Sequence, residues 1–506
     1  MMSRSLFIPF LAIIASLTVL HAHEARADET AHPHVVIIMA DDLGYGDVRP
    51  LNPDSPIPTP AFDRLAAEGI TFTDAHTPSA VCTPTRYGLL TGRYAWRTRL
   101  KRGVLNGYGA PLIDDGQQTI AQLVRTAGYQ THVIGKWHLG LGLVTREGKN
   151  AGGKKSVTPE NLDLTRPLAH HPGTVGFEQS LVIPASLDFP PYVYFKNGVA
   201  TSSETVPQPA KPFPGFLRRG PRATDFDMRK CLDRLTDAAC ETIAGMKNAR
   251  QPQLLYFPLT APHKPILPAE RFLGKSPISQ YGDFVMQVDA TVGRVLDAID
   301  QAEIADETMV LVTSDNGSYM YRYDDQETRD HTDDVSIQGY RADNHRPNGP
   351  WRGTKADIYE AGHRVPFFVR MPNGQRSGER DDQLVGLVDV FATLAELCGA
   401  SIADNGGPDS HSFAKRLGPN HTSAPDRPPL VCHSVAGMFA LRDGPWKLIA
   451  GNGSGGRQRP KGTVDARPFQ LYNLNNDPAE SNNLIESQAQ RARAMWEKLQ
   501  QQRKAK

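Results

Sequence analysis

The chain has 506 residues, and 56 basic against 55 acidic side chains leave a formal net charge of +1. That length supports a large core and more than one domain. The charge balance excludes a polyanion-coating surface, so nucleic acid is not an expected partner, and a small anionic substrate would need a local basic pocket.

In chain order, residues 1–27 read as an export signal. Arg4 supplies the positive start, residues 6–20 are an apolar run, and Ala25-Arg26-Ala27 is a small-residue cleavage site before Asp28. The run is shorter than the ~20 residues of a spanning helix. No later stretch is apolar enough to span a bilayer, so the expectation is an exported protein, periplasmic or secreted, with no stable membrane insertion. Residues 34–39 are continuously apolar after His34, as a strand covered on both faces should be. Thr59 before Pro60 predicts a helix start with Thr59 as cap; Phe62, Leu65 and Ala66 form its apolar face and Gly69 ends it. Further strands are predicted at 131–134, 254–259, 308–313 and 365–371.

From 140 to 222 the pattern weakens into Lys, Gly and Pro, and the segment from Pro184 to Tyr192 reads as an ordered loop walling a site. A second irregular stretch, 319–350, is rich in Asp, Arg, His and Asn. Near residue 425 the character changes. Residues 430–432, 438–442, 446–450 and 469–474 read as short antiparallel strands, with turns at Gly444-Pro445 and 451–456, before a charged helix over 488–506. The fold class is therefore α/β: a large central, mostly parallel sheet flanked by helices over residues 28–425, and a small C-terminal α+β domain with a short antiparallel sheet over 426–506.

Ligands of open α/β sheets bind at the carboxyl ends of strands, and polar clusters stand at those ends here. They are Asp41-Asp42, Lys136-Trp137-His138, His263-Lys264 and Ser314-Asp315-Asn316, with Arg352-Gly353-Thr354-Lys355 before the strand at 365–371. One such cluster is ordinary turn chemistry; five on one sheet edge predict an active site. Asp41, Asp42, Asp315 and Asn316 form an all-oxygen set, which suits Ca²⁺, or less well Mg²⁺, rather than zinc. Asn316-Gly317-Ser318 also spells a glycosylation acceptor, rejected because a sugar on a metal ligand would block the site. Lys136, His138, His263 and Lys355 would surround a bound oxyanion, two of them as ammonium groups and two as proton carriers.

The most informative segment is Cys82-Thr83-Pro84-Thr85-Arg86, running on to Thr91-Gly92-Arg93 at a predicted helix start. A lone cysteine there is ordinarily a buried thiol. The whole run resembles the signature of the type I, formylglycine-dependent sulfatases of the alkaline phosphatase superfamily. Gly135-Lys136-Trp137-His138-Leu139-Gly140 is a second match. The tail, Leu471-Tyr472-Asn473-Leu474 with Asp477-Pro478, Glu480 and Asn483-Leu484, is similar to the family's C-terminal signature. Thr85 stands where serine is commoner.

The resemblance implies an alkaline phosphatase-like fold and a sulfuric ester hydrolase in which Cys82 is oxidised to formylglycine by a formylglycine-generating or equivalent maturing enzyme. It implies Ca²⁺ on Asp41, Asp42, Asp315, Asn316 and the modified Cys82. Asp315 would help deprotonate the aldehyde hydrate, which attacks sulfur; His263 with Lys355 would assist the leaving oxygen. His138 would then take the proton that releases sulfate, and Arg86 would hold the hydrate and the metal ligands. A phosphate or phosphonate ester hydrolase of the same superfamily is the rival reading, disfavoured by the cysteine and the oxygen set; a non-catalytic sulfated-glycan binder is another. The expected substrate is a sulfated carbohydrate, with a galactose-type 6-sulfate suggested by the 186–192 segment, or an aryl sulfate. Asn106, Tyr108, Asp188, His331 and His345 are the expected sugar contacts. Of the five cysteines, conversion of Cys82 leaves four, and the spacing of Cys231 and Cys240 forbids a bridge within one unbroken helix.

Overall fold

The structure, a computed structural model, describes residues 32–148, 157–212, 215–320, 345–419, 421, 427–467 and 469–504. The export-signal segment and His331 lie outside the described residues.

Ten strands form one sheet, in the order Glu379–Asp381, Ile70–Phe72, Phe367–Arg370, Thr308–Ser314, His34–Asp41, Gln253–Pro262, Gln130–Lys136, Gln179–Ile183, Phe195–Lys196 and Val199–Ala200. The five from Thr308–Ser314 to Gln179–Ile183 run parallel to one another; Phe367–Arg370 begins the antiparallel margin on one side and Phe195–Lys196 on the other. His34–Asp41, Gln253–Pro262 and Thr308–Ser314 are buried along their whole length. That is why their sequences are continuous apolar runs without alternation. Helices Pro60–Glu68, Cys231–Met246 and Gln280–Gln301 pack as one group, and Cys82–Thr91, Ile120–Arg125 and Val390–Leu397 as another.

The five strands predicted in the large sheet all form, each a little longer than its apolar run except the last, which shortens to Phe367–Arg370. The helix begins at Pro60 behind Thr59, yet the Thr59 side chain does not cap it. Thr59 Oγ1 instead accepts from the Arg49 N–H at 3.0 Å, and Asp289 takes the Ala61 and Phe62 N–H groups. The weak region 140–222 holds strand Gln179–Ile183, which extends the parallel sheet, and two short hairpins. Cys231 and Cys240 lie on one continuous helix, and all five cysteines are free.

A second sheet of four antiparallel strands, Leu430–His433, Phe439–Asp443, Trp446–Ile449 and Gln470–Asn473, is followed by helix Ala489–Lys504, with its own apolar cluster around Leu441, Leu448, Leu471 and Leu499. From His32 onward the chain forms one compact unit. Among the described residues no helix is long and apolar enough to cross a membrane.

Candidate active site

The carboxyl edge of the five parallel strands gathers the predicted residues. A bulge between Met39 and Asp41 breaks the register with Gln253–Pro262, and Asp42 follows with φ of 67°. This re-aims two successive carboxylates into one space. Gly135 is needed one residue before Lys136, because a Cβ there would stand 1.9 Å from the Pro258 carbonyl oxygen. Cys82 is the first residue of helix Cys82–Thr91, whose N-terminal N–H groups receive no side-chain cap. Such an end is suited to an anion. The Thr85 hydroxyl, the departure from the commoner serine, donates to the Ser79 carbonyl at 3.0 Å and so ties the first turn to the loop before Cys82.

Three carboxylates face three cations in this space. Lys136 Nζ donates to both oxygens of Asp41 at 2.8 and 2.7 Å, and Lys355 Nζ to both of Asp42 at 2.6 and 2.8 Å. Arg86 donates through Nε and Nη2 to Asp315 Oδ2 at 3.0 and 2.7 Å and through Nη1 to the Lys136 carbonyl at 3.0 Å. Cys82 Sγ lies within 4.8 Å of carboxylate oxygens of Asp41 and Asp315. Lys355 is 7 % exposed and Asp41, Arg86, Lys136 and Asp315 are fully enclosed, so these interactions act with little screening by water.

Burial pushes Asp41 up, to about 7, helped by Asp315 and Asp42 and opposed by Lys136. Burial also pushes Asp315 up, but Arg86, Lys136 and Lys355 outweigh it and hold Asp315 below the ordinary carboxylate value. The Cys82 thiol is raised by burial against the pull of the two lysines, which makes the unmodified thiol a poor thiolate.

The donor set fits a hard divalent cation. Asn316 Nδ2 donates to Asp42 Oδ1 at 2.7 Å and to the Gly317 carbonyl, which leaves Asn316 Oδ1 buried without a partner beside the three carboxylates. A buried amide oxygen is expected to be satisfied, and carboxylate oxygens already bonded to lysine keep further lone pairs for a metal.

Two histidines flank the cluster. His138, with φ of 57°, donates from Nε2 to the Leu105 carbonyl at 2.7 Å, so its proton sits on Nε2 and Nδ1 is a buried lone pair without a partner. Burial, Lys136 and Arg86 hold His138 well below its ordinary value. His263 donates from Nδ1 to the Lys264 carbonyl and brings Nε2 to 3.6 Å from Asp42 Oδ2. Burial, Lys355 and Lys136 lower it too.

The expected sugar contacts separate. Leu105 joins the Thr83 hydroxyl to His138, and exposed Asn106 follows it directly, while half-buried Tyr108 keeps an unpartnered hydroxyl. The Phe189 ring is 6.1 Å from that of His138; next to it Asp188 pairs with Arg218 and keeps Oδ1 buried and unpartnered. His345 is buried with Nε2 at 2.8 Å from Asp47 Oδ1, and Tyr281 donates to the other oxygen of that carboxylate, Oδ2. Leu105 has no signal in the sequence, since it acts through a backbone carbonyl that any residue type would supply.

The Sulfatase family model matches residues 33–400. The chain belongs to the sulfatase family. It is 31% identical, over 99% of both chains, to an N-acetylgalactosamine-6-O-sulfatase of Bacteroides thetaiotaomicron, and 30% identical to human arylsulfatase A over 90% of this chain and 83% of that one. A solved structure from work on the metabolism of multiple glycosaminoglycans by Bacteroides thetaiotaomicron superposes with a TM-score of 0.79 at 30% identity, covering 93% of this chain and 99% of the other. The phosphonate monoester hydrolase of Agrobacterium radiobacter, at 16% identity and a TM-score of 0.57 over 93% of this chain and 95% of that one, shares the fold. This sulfatase is thus a sulfuric ester hydrolase on the alkaline phosphatase-like fold.

Proposed function

We propose that this sulfatase is exported and hydrolyses 6-sulfate esters on galactose-type residues of sulfated carbohydrate, N-acetylgalactosamine first among them. The observation that carries the reading is Cys82 at a helix start, among the Asp41 and Asp315 carboxylates and the Lys136 and Lys355 ammonium groups, in a chain similar along its length to an N-acetylgalactosamine-6-O-sulfatase. Residues 28–425 would hold the chemistry and 426–506 the small companion domain.

Oxidation of Cys82 to formylglycine would supply, as the aldehyde hydrate, an oxygen nucleophile that a protonated thiol cannot replace. A calcium ion held by Asp41, Asp42, Asp315 and Asn316 would supply positive charge for that oxygen and for the sulfate. The remaining work falls to the chain. Lys136 and Lys355 bind the equatorial sulfate oxygens with fixed ammonium groups in a dry site, where such donors act most strongly. Arg86 keeps Asp315 ionised and oriented. Lys355 with His263 assists the leaving oxygen. His263 turns Nε2 to the site, but its one proton sits on Nδ1 against the Lys264 carbonyl, so Nε2 must first take up a proton before it can pass one on. The Lys355 ammonium is the group already able to donate. His138 accepts a proton at Nδ1, which the Leu105 bond leaves free. Asn106, Tyr108 and Asp188 form a polar rim that meets the sugar.

Sulfate release from defined 6-sulfated and 4-sulfated N-acetylgalactosamine and from galactose 6-sulfate tests the substrate. The 6-sulfates should turn over and the 4-sulfate should not; turnover confined to 4-sulfates or to phosphonate esters would overturn it.

A further inference from the structure

Lys355 stands on a turn, 353–358, that belongs to no strand or helix. Gly353 and Ala356 both take left-handed conformations, with φ of 83° and 82°. For alanine that backbone is strained, and it persists only where its surroundings over-determine it.

The surroundings are visible. The fully buried Asp357 carboxylate accepts the Thr354 N–H at 3.0 Å through Oδ2, and the Arg457 and Gln458 N–H groups at 2.5 and 3.0 Å through Oδ1. The Ala356 N–H donates to the Ala80 carbonyl at 2.8 Å, two residues before Cys82, and the Ala356 carbonyl accepts from Val435 at 3.0 Å. The Ile358 N–H donates to the Ser454 carbonyl at 2.8 Å. The turn is therefore clamped between the loop that leads into Cys82 and the loops of the four-stranded C-terminal sheet. Among the described residues, the metal-suited groups around Cys82 are Asp41 and Asp315, both at the carboxyl edge of the large sheet.

We propose that Asp357 is the positioning residue for Lys355: its carboxylate, bonded to the 457–458 backbone, sets where the ammonium stands against Asp42 and the sulfate. The C-terminal sheet then completes the active site by holding this turn. The proposal rests on the reading of Lys355 as a sulfate-binding cation. Removing the carboxylate orphans three N–H groups and lets the turn relax, and a displacement near 1 Å at a reacting site costs on the order of 10²-fold.

The test is a double-mutant cycle on kcat and KM for 4-nitrophenyl sulfate, using the full-length, matured, calcium-loaded enzyme. Asp357→Ala should lower kcat by ~10–100-fold with a smaller change in KM. In a Lys355→Ala background the same substitution should cost less than ~3-fold, because the group it positions is gone. Gly456→Ala provides a second route if Asp357→Ala fails to fold. Its Cβ would stand 2.4 Å from both the Ala356 carbonyl oxygen and Asp357 Oδ1, so the turn must move with the carboxylate retained; the same non-additive loss is expected. Equal losses in both backgrounds would mark Asp357 as a general stabiliser and overturn the proposal, as would unchanged kcat in both variants. If Lys355→Ala alone leaves turnover intact, the reading of Lys355 fails and the proposal with it, a result distinct from failure at Asp357 alone.

Discussion

Arg86→Met removes the guanidinium that pairs with Asp315, and the structure sets the size of the effect. Arg86 has no exposed surface and gives Asp315 Oδ2 two donors at 3.0 and 2.7 Å. A unit pair ~4 Å apart at an effective dielectric near 20 is worth ~4 kcal/mol, and removing one partner of a buried pair costs ~3–5 kcal/mol. Lys136 and Lys355 already serve Asp41 and Asp42, so little is left to take up the Asp315 charge. In a chain of this size the metal-free thermal midpoint should fall by on the order of 5 °C.

The pH dependence carries the sharper signature. In the parent protein the Asp315 pKa is depressed, so its contribution is present above the unfolded value and lost only as pH falls through the folded one. In Arg86→Met, burial acts with less opposition and the pKa rises above the unfolded value. The variant should then bind a proton on acidification that the unfolded chain does not, and its deficit should shrink between pH 8 and pH 5. Calorimetry in chelator at those two pH values measures it. A deficit below ~1 kcal/mol, or one equal at both pH values, would refute the charge argument.

Cys82→Ala should abolish turnover without unfolding the chain, and peptide mass mapping of active material should show the thiol-to-aldehyde loss; full activity with only unmodified cysteine would sink the nucleophile assignment. Because burial raises Asp41 to about 7, stabilisation by added calcium should grow from pH 5 to pH 7 as that proton is displaced, and thermal shifts flat across this range would contradict the site. Lys136→Ala should slow S–O cleavage by ~10²–10³-fold, as for the loss of one preorganised donor, measured as the single-turnover rate. His138→Ala should give a burst of one leaving group per site and then stall with sulfate held at position 82; slow steady turnover with no trapped sulfate would move His138 to an earlier step.

The sequence by itself determined the architecture of the centre and the chemical types in the site. Residues 34–39, 254–259 and 308–313 could be read as parallel strands because burial on both faces leaves no alternating polar position, only His34, Thr308 and Thr313 at the ends of the runs, a purely local signature. The polar residues that end those strands had to lie on one edge once the strands were parallel, which made Asp41, Asp42, Lys136, His263 and Asp315 legible as a group. Short strands such as Gln179–Ile183 carry too few residues for a pattern to emerge. Thr59 had the residue type of a cap but spends its hydroxyl on Arg49, since distant Asp289 reaches the helix start first.

Only the tertiary structure decided the pairings: Lys136 on Asp41, Lys355 on Asp42, Arg86 on Asp315, each joining residues far apart in the chain. It also set His345 against Asp47, chose Nδ1 of His138 as the free nitrogen by giving Nε2 to a backbone carbonyl, and hung the Lys355 turn from the C-terminal sheet. Residue type and spacing are properties of a segment. Which charge meets which depends on register, bulges and loop contacts between segments, and these exist only when the whole sheet is assembled.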